Sequence, residues 1–63
     1  MSNRAKVLAY VQACDHSPTV REIAEAIGTS HSTVHYHLGA LELSGDIRRI
    51  GEQRRIYPAK AAA

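Results

Sequence analysis

Two adjoining runs constrain this chain more than anything else in it: PTVREIAEAIG at 18–28 and TSHSTVHYHLGALE at 29–42. In the first, Thr19 and Glu22 have the spacing of a capping box, in which each side chain takes up the other residue's free backbone N–H at a helix start. A helix beginning near Val20 turns Val20, Ile23, Ala24 and Ile27 inward, and Gly28 stops it, because glycine takes a left-handed conformation cheaply. In the second, Ser30 is a good cap for another helix, whose apolar stripe is Val34, Leu38 and Leu41 at i, i+4 and i+7. Gly45 ends that helix. Two short helices joined by a tight turn follow from these signals.

A further helix precedes them. Over residues 3–14 the apolar positions Val7, Tyr10, Val11 and Cys14 recur at i, i+3, i+4 and i+7 with Leu8 beside them, so one face can be buried. Pro18 disfavours helical geometry at Ser17, which breaks the pattern at 15–18. After Gly45 the period changes. The segment DIRRIGEQRRIY at 46–57 places β-branched and aromatic residues around Gly51-Glu52, a two-residue hairpin turn with glycine at its first central position. That turn pairs Ile47 with Ile56 and Arg49 with Arg54, whereas a longer loop would change the register. Pro58 closes the second strand, and residues 59–63 are expected to be a flexible tail. The expected fold is therefore α+β and mainly α: three helices followed by a two-stranded β-hairpin, a winged helix-turn-helix over residues 1–58.

At 63 residues the chain has room for one domain, and a domain of about that size buries only about 60% of its unfolded surface. The single cysteine, Cys14, rules out an internal disulfide and reads as core filler. No stretch reaches the roughly 20 apolar residues of a membrane span, and the N-terminus lacks the apolar run of a secretion signal. These features point to a soluble cytoplasmic protein without a membrane partner.

Charge is distributed unevenly. Residues 1–47 carry three basic and five acidic side chains, net −2, and residues 48–63 carry five basic and one acidic, net +4. A basic appendage on a slightly acidic body suits phosphate contact. On the third helix, the face opposite the apolar stripe presents Ser32, Thr33, Tyr36, Gly39 and Ala40, with His31 and His35 on one flank. Ser32, Thr33, His35 and Tyr36 are the candidates for reading base edges in a DNA groove, since serine and threonine contact phosphates or bases and the threonine methyl packs on thymine. Arg21, Ser30, His31, Gly39, Arg48, Arg49, Gln53, Arg54 and Arg55 are the candidates for the backbone or minor groove. The arginines among these have a structural alternative: Arg21 as a solvated ion-pair residue, and the four wing arginines as guards against edge-strand aggregation. Gly39 also admits two readings, close approach to a sugar-phosphate strand or close packing on another helix.

His31 and His35 sit at i, i+4 and could seat two metal ligands, but no third ligand is apparent and zinc sites want three or four. No metal and no cofactor are expected. His37, at the edge of the apolar stripe, reads as a partly buried histidine with one hydrogen bond, and His16 as a surface loop residue. No glycine-rich phosphate loop is present, serine and histidine meet only on one helix without an orienting carboxylate, and so short a chain is expected to lack a sizeable pocket. The reading is a non-enzyme.

The residues at 18–28, together with Ser32-Thr-Val-His-Tyr-His-Leu38, Leu41-Glu-Leu-Ser-Gly45 and Ile47-Arg-Arg49, resemble the DNA-binding domain of LexA-type repressors over roughly residues 4–57. In its short turn between Gly28 and Ser32 the chain is also similar to winged helices of IclR-, ArsR- and MarR-like regulators. The resemblance implies a repressor, with helix three in the major groove and a basic wing on the flanking backbone or minor groove. LexA-type repressors also carry a self-cleaving, dimerising C-terminal domain, for which these 63 residues leave no space, so no autoproteolysis is expected of them. The expected partner is double-stranded DNA, bound as a homodimer at least on DNA because useful affinity usually needs two half-sites, and the expected location is the cytoplasm, on the nucleoid. The alternative is a winged helix used for protein interaction or nucleoprotein assembly, as in a phage or mobile element, with weak non-specific DNA binding.

Overall fold

The computed structural model describes residues 2–59. Three helices, α1 (Asn3–Ala13), α2 (Val20–Ile27) and α3 (His31–Ser44), are followed by an antiparallel hairpin of β1 (Ile47–Ile50) and β2 (Arg55–Pro58). Each helix starts where a side chain can accept a free N–H. Ser2 Oγ accepts from Ala5 at 3.2 Å, Thr19 Oγ1 from Glu22 at 3.0 Å and Ser30 Oγ from Thr33 at 3.2 Å. Glu22 returns the bond, its Oε1 accepting from the Thr19 N–H at 2.8 Å, so the expected capping box is present in full. Caps of this kind are typically worth about 1 kcal/mol each.

The stops are equally local. Gly28 and Gly45 take φ of +73° and +85°, a region that costs a side-chain-bearing residue strain and glycine almost none. Their turns return N–H groups to α2 and α3, from Gly28 and Thr29 to the Ala24 carbonyl and from Asp46 to the Leu41 carbonyl. α1 ends without glycine: Cys14 is already extended and caps the Tyr10 and Val11 carbonyls. Cys14 therefore sits half-buried just past the helix and outside the core it was expected to fill. A cap residue leaves the helical spiral, so its side chain no longer continues the stripe of Val7 and Val11.

The core draws on every element. Val7 and Val11 of α1, Ile23 and Ala24 of α2, Val34, Leu38 and Leu41 of α3, Ile47 of β1 and Ile56 of β2 are all buried. Leu8, Tyr10, Val20 and Ile27 pack against them as a half-buried rim. Burying a valine, leucine or isoleucine side chain contributes roughly 1.5–3 kcal/mol, so eight such positions, with Ala24 between them, hold three helices and a hairpin together.

The hairpin register differs from the two-residue turn expected at Gly51-Glu52. Ile47 pairs with Pro58, Arg49 with Ile56 and Ile50 with Arg55, leaving a four-residue loop over 51–54. The loop closes through an Arg54 N–H to Gly51 carbonyl bond of 3.1 Å, with both residues at positive φ. The shift is two residues, one full strand period, so Ile47 and Ile56 still face the core although they are no longer opposite each other. Of the tail expected at 59–63, Ala59 is tied back by its N–H to the Asp46 carbonyl at 3.0 Å; residues 60–63 lie outside the described residues.

Candidate nucleic-acid interface

With Val34, Leu38 and Leu41 turned into the core, α3 shows its other side to solvent. His31, Ser32, His35, Tyr36 and Gly39 are exposed there, with Thr33 and Ala40 half-buried at its margins. Tyr36 is 74% exposed, a large fraction for an aromatic ring. Its ring meets His37 edge-on at 5.3 Å between centroids. The Thr33 hydroxyl oxygen accepts from Ser30 Oγ at 2.9 Å, so the cap and the outer face of α3 share one short network. Leu43 is exposed as well.

Gly39 has open space around it: a Cβ built on its backbone meets nothing within 4 Å. Packing against another helix therefore does not explain this glycine. His37 is partly buried as expected, but its Nδ1 is buried without a hydrogen-bond partner among the described residues, against the single bond the sequence suggested. His31 and His35 lie exposed along α3, and among the described residues no three His, Cys, Asp or Glu side chains gather as a metal site.

The wing places its four arginines differently. Arg48, Arg54 and Arg55 are exposed and Arg49 is half-buried. Arg49 Nε donates to the Arg54 carbonyl at 3.1 Å and Arg55 Nε donates to Gln53 Oε1 at 3.2 Å, which ties the loop together from both strands. Arg54 reaches across to α3 and pairs with Glu42 at 3.2 Å. Arg21 pairs with Glu25 one turn along α2, at 3.3 Å, with both side chains mostly exposed. Such an i, i+4 pair stabilises a helix by a few tenths of a kcal/mol and is screened by salt.

Between the wing and the start of α2 lies a half-open cleft of about 370 Å³, bordered by Pro18, Thr19, Val20, Arg49, Arg55 and Ile56. The short chain thus does have a concavity, contrary to expectation, because the loop before α2 and the hairpin stand side by side. Its lining carries arginines and no carboxylate. Ser17, on its wall, accepts a 2.8 Å hydrogen bond from the Ile56 N–H and so fastens β2 to the α1–α2 loop. Sequence reasoning missed this contact and the Glu42 pair, since both join residues far apart in the chain. It also missed that His16 bridges two carboxylates, Asp15 at 3.0 Å and Glu22 at 3.5 Å. Those bonds, Asp15's first, raise the pKa of His16 above its usual value.

A cap-linked helix with a polar outer face beside an arginine-bearing hairpin narrows the family, and comparison with known proteins settles it. The family model for the LexA DNA binding domain matches residues 5–56. The chain belongs to that family. The LexA repressor of Bacillus subtilis (strain 168) is 52% identical over 44 residues, covering 68% of this chain and 22% of the relative. That of Staphylococcus carnosus (strain TM300) is 45% identical over 51 residues, covering 73% and 25%. That of Halalkalibacterium halodurans is 58% identical over 40 residues, covering 62% and 19%. The match with these LexA repressors thus spans only about a fifth to a quarter of their length. No solved structure gives a significant match. The match runs from within α1 through α2 and α3 to Ile56 of the wing, and among the described residues no helix is long and apolar enough to cross a membrane.

Proposed function

We propose that this LexA-type domain is a sequence-specific reader of double-stranded DNA that serves a transcriptional repressor. α3 enters the major groove, where Ser32, His35 and Tyr36 address base edges. Thr33 offers its methyl group to thymine while its hydroxyl remains engaged with Ser30. Ser30, His31 and Gly39 meet the adjoining sugar-phosphate strand, and Arg48, Arg49, Gln53 and Arg55 of the wing lie on the flanking backbone or minor groove, with Arg21 near the start of α2.

The observation that carries this reading is the two-sidedness of α3, whose buried stripe fixes the helix while Ser32, His35 and Tyr36 stand exposed beside a basic hairpin. The family membership and the LexA repressors it resembles support the same conclusion. This assigns the domain binding and no chemistry of its own. A single domain of this size covers little DNA, so two copies on adjacent half-sites are part of the proposal, as is a place in the cytoplasm on the nucleoid.

The test is selection from a pool of random-sequence duplexes at near-physiological salt, followed by sequencing of what the protein retains. An enriched motif, above all an inverted repeat, is the expected result. Retention without enrichment would instead favour an architectural or protein-binding role.

A further inference from the structure

Among the described residues, Arg54 is the one wing arginine that faces an acid. Its Nη2 lies 3.2 and 3.4 Å from the two carboxylate oxygens of Glu42, twelve positions earlier on α3. The loop backbone at Arg54 is tightly fixed. Arg54 holds φ at +53°, the only non-glycine residue described at positive φ. Its N–H donates to the Gly51 carbonyl and its carbonyl accepts from Arg49 Nε, both at 3.1 Å. Glycine or asparagine would take that conformation with less strain. An arginine kept in a costly backbone state points to a use for its side chain, and the side chain goes to Glu42.

We infer that Glu42 is a charge-masking residue: it withholds Arg54 from the phosphate-binding set of the wing and so limits sequence-independent affinity while leaving base reading by α3 intact. Non-specific binding to DNA is almost wholly electrostatic, and each phosphate neutralised by the protein adds about 0.9 to the slope of log K against log salt. A guanidinium whose charge is already balanced by a carboxylate gains less from a phosphate even though its other N–H groups remain free, and the half-buried carboxylate repels the same strand. Removing one cation from the phosphate set lowers binding to every duplex, and what α3 contributes through base edges becomes a larger share of the total. The surrounding geometry suits this role. Arg49 clamps the loop from β1, so the loop retains a support when the ion pair is removed.

This inference rests on the DNA-reading proposal, but its electrostatic core can be read on any polyanion. The experiment compares the parent chain with Glu42→Gln and with the double variant Glu42→Gln/Arg54→Gln. Binding of a random-sequence duplex is measured by fluorescence anisotropy across a salt series, alongside elution from a heparin column. Glu42→Gln should steepen the salt slope by about one and elute from heparin at higher salt, and the double variant should return to the parent's slope and elution position. An unchanged slope in Glu42→Gln would overturn the inference. So would a double variant shallower than the parent by about one, since Arg54 would then already be contacting phosphate. Glu42→Ala is a second route to the same unmasking should the glutamine variant melt below the assay temperature. If the parent binds heparin but no duplex, the DNA-reading proposal fails, and the heparin elution order still decides the masking.

Discussion

Ile56 donates its backbone N–H to Ser17 Oγ at 2.8 Å, across 39 positions of sequence, and thereby joins the second strand of the wing to the loop that launches α2. The bond is partly buried and links two elements that no helix or strand ladder connects. Ser17→Ala leaves the Ile56 N–H without its partner, which should cost about 1–2 kcal/mol and lower the melting temperature by roughly 5–15 °C in a domain this small. Thermal unfolding followed by circular dichroism checks this, and a melting temperature within a degree of the parent's would show that the hydroxyl holds nothing.

His16 should make stability depend on pH near neutrality. Asp15, then Glu22, favour its protonated ring, so its pKa lies above the usual 6.5. A pKa raised by folding stabilises the fold fully below about 6.5, and that contribution disappears as pH climbs through the folded-state value. Asp15 is lowered from 3.8, first by its bond with His16, and Glu22 from 4.5, first by the Thr19 N–H. Their contributions are present above those values and fade as acid protonates them. Melting temperature should therefore peak between about pH 5 and 6.5, and His16→Gln should flatten the decline on the alkaline side. An identical alkaline limb in the variant would remove His16 as its source.

Gly39 gives a test in which stability and binding move in opposite directions. An alanine there meets no neighbour, and in a helix interior it is favoured over glycine by about 1 kcal/mol. Gly39→Ala should raise the melting temperature while weakening binding of the selected duplex, as expected if a sugar-phosphate strand approaches the backbone at this point. Higher stability with unaltered affinity would show that the open face at Gly39 is not an approach surface.

Base reading and phosphate contact should separate in two single variants. Tyr36→Ala should relax sequence preference, seen as a smaller gap between the selected motif and random duplex. Arg55→Ala should weaken all duplexes about equally and reduce the salt slope by about one. The same pattern of loss from both changes would rule out this division between helix and wing.

Much of this architecture was legible because its signals are local. Thr19 with Glu22, Gly28, Ser30 and Gly45 each act within four residues, and each sits where the sequence placed it. The apolar stripes were legible for the same reason, since helical spacing alone decides that Val34, Leu38 and Leu41 share a side. The hairpin register was not. Gly51-Glu52 satisfies a two-residue turn, and nothing nearby announces that Arg54 will adopt a glycine-like conformation to close a longer loop. Ile47 and Ile56 face inward in either register only because the two registers differ by a whole strand period. The Glu42–Arg54 pair depends on that register, and the Ser17–Ile56 bond depends on the tertiary fold, so neither could be read from spacing. The exposed positions of α3 were legible as a face, and Gly39's open surroundings became visible only with the neighbouring helices in place.

Ser32, His35 and Tyr36 contribute no side chain to the nine-residue core that α3 shares with the other helices and the hairpin. On the proposal that these three side chains read base edges, the specificity of the domain can be rewritten at outward positions without disturbing its foundation. One scaffold can acquire a new target by small steps, each leaving a folded protein on which the next step can act.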